Sequence, residues 1–215
     1  ALIGSGSRSL VNLINDQSLM KRGQRDAVVM VSCGVDTLGF AGGGEFYRGS
    51  PDSEKLGREV VERIDHAQFV PAVYHHVNVA TWISGTVAYF IKEGKPHLQV
   101  YLNQEQGDLA AGHDFIAPQF AYVETNYKWH GFYWPRDMPG HDGLVAVKLD
   151  VDTDGKVRSS KLAYEYPPGK GFGPEVVGRI VDAAFIPGFR NGKMVRSQFT
   201  QMFTFNFLGH QMKSG

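Results

Sequence analysis

Apolar and polar residues alternate with a period of two over several long stretches of the chain, which predicts strands with one buried face. The clearest stretch begins at Leu144, where Val145, Val147, Leu149 and Val151 alternate with Lys148, Asp150 and Asp152. Further strands are predicted over residues 27–35, 78–92, 96–102, 156–166 and 194–208. Helical spacing is found instead over 7–22, over 56–67 and over 174–184. These three segments are predicted to be short amphipathic helices.

The pattern occurs twice, because residues 57–71 and 173–187 are two copies of one sequence, 116 positions apart. With that offset fixed, 16 of 46 positions are identical between 28–73 and 144–189. A repeat of this length indicates a duplicated domain. Each copy is too small to be very stable alone, so we expect the two copies to pack together.

Four regions follow from the repeat. We predict an N-terminal helical segment at 1–24, a first unit at 25–102, a connector at 103–143 and a second unit at 144–208. The connector is rich in aromatic residues, among them Trp129, Tyr133 and Trp134. Such residues either fill the gap between two domains or line a ligand groove. The sequence leaves both interpretations open.

Charge and hydropathy exclude some partners. The chain has 22 basic and 22 acidic residues, so no net field attracts nucleic acid. No stretch approaches the 18 apolar residues of a membrane span. The sequence opens at Ala1 without an initiator Met, which fits either a mature form after removal of a signal peptide or a shortened chain.

The residues that carry chemistry are scattered. The eight histidines lack the spacing of metal ligands, and no Ser nucleophile lies in a suitable turn. Asp150-x-Asp152-x-Asp154-Gly155 resembles the start of a calcium loop, but the twelfth position is Lys161. Cys33 lies in an apolar run, which is typical of a buried structural thiol. We therefore predict no enzyme activity, no metal and no cofactor.

The order of the predicted elements resembles the C-terminal domain of TonB energy transducers. The second copy carries the family features in order: strand 145–152, Asp154-Gly155-Lys156-Val157, helix 176–184, Phe185-Ile186-Pro187, Asn191-Gly192 and strand 195–207. The first copy is a degenerate version. Trp134-Pro135 is the nearest match to the Tyr-Pro pair that, in this family, precedes the first strand near the docked receptor peptide.

The resemblance implies an α+β fold of two tandem TonB C-terminal-like β-β-α-β units, each with a helix packed on a small antiparallel sheet. It also implies a periplasmic or secreted protein that binds a protein or peptide of the cell envelope at a sheet edge. We expect that edge on the last strand, because nothing in the second unit follows it as 96–102 follows the equivalent strand of the first. The candidate binding residues are Trp129, Tyr133, Trp134, Tyr164, Tyr166, Val195, Phe199 and Phe203.

Two alternatives remain at this point. The aromatic connector could bind a small or sugar-like ligand by stacking. The tandem could also be purely structural, with each copy covering the other's edge, and association with a second copy of the chain is left open.

Overall fold

The structure is a computed structural model that describes residues 1–102, 115–122 and 131–205. It is mostly β, with 51% strand and 17% helix. The predicted α+β fold of two helix-on-sheet units is therefore wrong. The helices are shorter than their periodic patterns, and the predicted connector contributes strands of its own.

Among the residues that the structure describes, the strands fall into four sheets. In chain order they are β1 (Leu2–Ile3), β2 (Ala27–Val35), β3 (Ala41–Gly49), β4 (Phe69–Val70), β5 (Ala72–Tyr74), β6 (Val77–Lys92), β7 (Lys95–Leu102), β8 (Phe115–Ile116), β9 (Gln119–Tyr122), β10 (Gly143–Val151), β11 (Val157–Tyr166), β12 (Ala184–Ile186), β13 (Gly188–Arg190), β14 (Lys193–Val195) and β15 (Ser197–Phe205). The largest sheet has the order β12-β9-β6-β2-β3, with β5 and β7 also paired to β6. Another sheet has the order β11-β10-β15, and the two remaining sheets are β14-β13-β8 and β1-β4.

The described helices are α1 (Leu10–Leu13), α2 (Asp16–Lys21), α3 (Glu54–Ile64) and α4 (Phe172–Arg179), the last continued by a 3-10 turn (Ile180–Asp182). The segment predicted as one helix over 7–22 is thus two helices. The break is at Asn15, whose side chain accepts a hydrogen bond from the Ser18 N–H at 2.8 Å and so caps the start of α2. None of the described helices is long and apolar enough to cross a membrane.

The strand pairings repeat with the same offset as the sequence. In the first copy β2 pairs with β6 from Ala27↔Tyr89 to Val35↔Thr81. In the second copy β10 pairs with β15 from Gly143↔Phe205 to Val151↔Ser197. Each of these four residues is 116 positions after its counterpart in the first copy. The hairpins β5-β6 and β13-β14 are related in the same way. The duplication therefore extends to the hydrogen-bond register.

Strand β9 joins the two copies. It pairs with β6 of the first copy and with β12 of the second, so elements from both copies lie in one sheet. Strand β8 pairs with β13 of the second copy. The segment predicted to be a connector is therefore part of the sheets where the structure describes it.

In the described part of the chain two hydrophobic clusters form the core, and a side chain of the other copy packs against each. The first cluster includes Val29, Leu56 and Val87, and Ile186 of the second copy packs against it. The second cluster includes Val147, Phe172 and Phe199, and Trp82 of the first copy packs against it. This exchange, together with β9, fixes how the copies sit against each other.

Candidate functional site

The predicted binding edge, the outer edge of β15, is partly tied to the first copy. The Gln201 amide donates to Ser84 Oγ at 3.1 Å and to its neighbouring Met202 carbonyl at 3.0 Å, and Thr204 Oγ1 donates to the Glu45 carboxylate. Tyr47 lies at the same contact, and burial raises its pKa to about 12. These contacts occupy side chains on both faces of β15 with bonds inside the molecule.

The side chains predicted to bind from this edge point elsewhere. Phe199 and Phe203 are buried in the second cluster. Val195 ends β14 and packs against the same cluster. These apolar residues alternate along the sequence because they pack in the core of the second copy. A partner strand at this edge would contact their main chain but not their side chains.

Strand β11 is the more accessible edge. Among the described residues it pairs with β10 only, apart from one isolated bridge between Lys156 and Ala184 just before the strand begins. Most of its side chains are exposed or half-buried. A strand in this position presents a row of main-chain groups that another strand can pair with.

Tyr164 and Tyr166 lie on β11, with β10 between them and β15. They are 51% and 58% exposed. Since Tyr164 is opposite Ala146 and Tyr166 is opposite Leu144, both rings are on the same face of the sheet. They were predicted to flank the edge of β15, but the strand order places them beside the opposite edge.

The same face of the sheet carries two exposed lysines. Lys161 of β11 lies opposite Lys148 of β10, and both side chains are exposed. This face of β11 and β10 therefore offers a positive pair, followed along β11 by two tyrosine rings. We refer to Lys161, Tyr164 and Tyr166 with the adjoining main chain as the β11 edge.

The equivalent strand of the first copy, β3, is built differently. It contains four glycines in nine residues, and Gly43 has a φ of +66°. Its Gly44 N–H donates to Asp65 Oδ1 at 3.4 Å. Glycines within a strand weaken regular pairing, so β3 is a poorer template for strand addition than β11.

The aromatic residues of the predicted connector are not gathered into a groove in the part of the chain that the structure describes. The Trp134 indole N–H donates to the His141 carbonyl at 2.8 Å, and its ring packs 5.9 Å from Phe205. Tyr133 is exposed, with the Arg179 guanidinium 4.3 Å from its ring centre. Trp129 lies outside the described residues.

Three carboxylates of the β10-β11 hairpin, those of Asp150, Asp152 and Asp154, are paired with cations. Arg196 donates two hydrogen bonds to Asp150, at 2.8 and 2.7 Å, and these bonds hold the pKa of the Asp150 carboxyl below its usual value. In the turn before β11, Asp152 pairs with Arg158 of β11 at 2.8 Å, and Asp154 pairs with Lys156 at 3.0 Å. These carboxylates stabilise the hairpin turn.

The sequence also raised a metal site and a reactive cysteine as candidate chemistry. Within residues 1–102, 115–122 and 131–205, no three His, Cys, Asp or Glu side chains are grouped to hold a metal ion. The Cys33 thiol is buried, and burial, with the negative charge of Asp65, raises its pKa to about 12. A thiol in this state is a poor nucleophile.

Comparisons of the chain with protein-family models, with curated proteins and with solved structures find no match. The TonB resemblance therefore rests on the order of sequence motifs alone. What the structure defines, over the residues it describes, is a mostly β tandem repeat in which β11 is an exposed edge strand.

Proposed function

We propose that this protein binds an extended segment of a partner protein, which adds as a strand to the β11 edge. The observation that carries the proposal is the exposure of strand β11, which has one strand neighbour among the described residues and carries an exposed lysine and two exposed tyrosines. In this binding mode main-chain hydrogen bonds provide affinity, and alternate side chains provide selectivity.

The side chains of the edge favour a particular kind of peptide. Tyr164 and Tyr166 offer large apolar surfaces that hold a partner's apolar side chains at alternate positions. Lys161 and Lys148 lie farther along the same face and favour acidic groups there. The expected partner segment is therefore extended, apolar at one end and acidic at the other. A location in the cell envelope is part of this proposal and rests on the TonB resemblance alone.

The test is a selection of random displayed peptides on the immobilised protein, followed by affinity measurements with the enriched peptides. We expect Tyr164→Ala and Tyr166→Ala each to weaken binding by about tenfold, the effect of losing roughly 1.4 kcal/mol of contact. Tyr133→Ala is the matched control, because Tyr133 is also exposed but is not on β11 and contacts Glu175 and Arg179 of α4.

Each other result points to a different function. Peptides or sugars that depend on Tyr133 and not on Tyr164 would favour the aromatic segment as the binding site. If no peptide is enriched, the structural role of the tandem would be favoured over strand addition.

A further inference from the structure

A cavity of about 390 Å³ lies where the two copies meet. Val70, Pro71 and Val73 of the first copy line it, as do Ile186, Pro187 and Phe189 of the second. These are the same three positions of the repeat, 116 residues apart. The cavity is thus enclosed by the segments that leave the helix of each copy, and it exists because the two copies pack together.

The wall of the cavity offers little charge and little hydrogen bonding. Its side chains are all uncharged, and most are aliphatic. The amino group of Ala1 also lies in the wall, where burial lowers its pKa to about 5, so it is neutral at pH 7. This amino group donates to Gln119 Oε1, and the Gln119 amide nitrogen donates to the Ala1 carbonyl. A polar ligand would lose its hydration here without gaining partners, whereas an apolar ligand would gain from leaving water.

The cavity opens to the surface between apolar side chains. Val70 and Val73 line it and are 48% and 54% exposed, and Leu2 beside them is also exposed. Contiguous exposed apolar residues often mark a site of interaction. The volume lies within the range of about 300 to 1,000 Å³ found for ligand pockets, and it is more than twice the roughly 150 Å³ that holds benzene.

We propose that this cavity binds the alkyl chain of a single-chain amphiphile, with the polar end of the ligand outside. The uncharged wall excludes a headgroup, and the aliphatic lining suits a hydrocarbon chain. The limited volume accommodates one chain, so a lipid with two chains would leave one of them in water. This site is separate from the β11 edge and does not depend on strand addition there.

The first measurement is binding of the uncharged fluorophore N-phenylnaphthylamine to the full chain, followed by its displacement with decanol. We expect saturable fluorescence that decanol, added below its solubility limit, reverses. Dihexanoylphosphatidylcholine, a two-chain lipid added below its critical micelle concentration so that no lipid phase takes up the probe, should displace the probe poorly. Absence of saturable binding, failure of decanol to displace the probe, or equal displacement by the two-chain lipid would each overturn the proposal.

Variants then locate the site. Val70→Trp and Val73→Trp narrow the cavity, and each should weaken probe binding at least about tenfold, which corresponds to a change of one decade in Kd. Val28→Trp is the control, since Val28 is similarly exposed at 42% but does not line the cavity. Unchanged binding by both cavity variants would show that the probe binds elsewhere.

A second readout requires no substitution. In methyl NMR spectra of the wild-type protein, added decanol should shift the signals of Val70, Val73 and Ile186 and leave Val28 in place. If the lining methyl groups do not shift at saturating decanol, the assignment of the site is wrong, whether or not the tryptophan variants fold.

Discussion

At the scale of single residues, the repeat preserves a glycine that ties each hairpin turn to the end of the following helix. The Gly39 carbonyl accepts from the Phe69 N–H at 2.8 Å, and the Gly155 carbonyl accepts from the Phe185 N–H at 3.0 Å. Both glycines have positive φ, +88° and +78°. A Cβ at Gly155 would lie 1.9 Å from the Phe185 carbonyl oxygen. Both the positive φ and the lack of space therefore require glycine at this position.

We predict that Gly155→Ala destabilises the protein by about 2 to 4 kcal/mol, the sum of backbone strain and a forced local shift. Gly192→Ala is the control, because Gly192 has a similar φ of +76° but nothing within 4 Å of an added Cβ. It should cost only about 1 kcal/mol, the strain of a left-handed alanine. If denaturant melts gave the two variants equal losses in the free energy of unfolding, the close contact at Gly155 would be contradicted.

Both copies of the repeat also contain a glutamate that binds the segment preceding the copy. Glu59 pairs with Arg63, and Glu175 with Arg179, at positions related by the 116-residue offset. Glu59 also accepts from Arg22 of the N-terminal segment at 2.7 Å, whereas Glu175 accepts from the Tyr133 N–H at 2.9 Å. The two glutamates therefore hold different sequences, one through the Arg22 side chain and the other through the Tyr133 main chain.

Glu59 makes a pH-dependent contribution to stability. Burial of its carboxylate opposes ionisation, but hydrogen bonds from Arg22 and Arg63 outweigh burial and lower its pKa below 4.5. Since the pKa is lower in the folded state, the stabilisation is present above about pH 4.5 and is lost as the pH falls through the folded value.

We predict that Glu59→Gln lowers the free energy of unfolding by about 1 to 2 kcal/mol at pH 7, a modest value because both arginines are partly exposed. The difference from wild type should shrink as the pH is lowered below 4.5. Denaturant melts at a series of pH values measure it, and a difference that is independent of pH would contradict the account.

At the scale of elements, the helices are short. They stabilise the fold mainly through the few side chains that they bury against the sheets. Helix α3 packs on β2 and β3, and α4 packs on β10 and β11. Ile64 and Ile180 occupy equivalent positions and are both buried. Ile180 lies in the 3-10 turn after α4.

We predict that Ile180→Ala destabilises the protein by about 2 to 5 kcal/mol, because it leaves a cavity in the second cluster. Val181→Ala, on the exposed next residue of the same turn, should cost under about 0.5 kcal/mol. A small loss for Ile180→Ala would mean that the turn does not pack as the structure has it.

The long alternating strands could be predicted from the sequence, and the short ones could not. Val145, Val147 and Leu149 alternate over enough residues to define β10. Strand β9 has only four residues, and both of its partners are distant in sequence, so periodicity carries no signal for it. The predicted α+β fold was wrong for this reason. The prediction made the helices longer than they are and assigned no strands to the connector.

The candidate site was predictable only in part. Tyr164 and Tyr166 stood out as aromatic residues near a strand end, but the edge beside which they lie depends on the order β11-β10-β15. Strand order is a non-local property that alternation does not contain. The cavity between the copies was missed for a similar reason, since Val73 and Phe189 are meaningful together only once the copies are packed.

At the scale of the whole molecule, duplication has produced two copies with different surroundings. The first copy covers its long strand β6 with β7 and β9. The second copy uses β15 to contact the first through Gln201 and Thr204. With β3 interrupted by glycines, β11 is the more exposed of the two equivalent edge strands and the one that we propose for a partner strand.

The most direct test of this account is backbone amide exchange, measured residue by residue over β11 in the isolated protein and with the tightest peptide from the selection. In the isolated protein, alternate amides of β11 should exchange quickly, because they point away from β10, while the amides between them are protected. The peptide should slow the fast set and leave β15 unchanged. Slow exchange along the whole of β11 without peptide, or protection by the peptide at β15 instead, would contradict strand addition at the β11 edge.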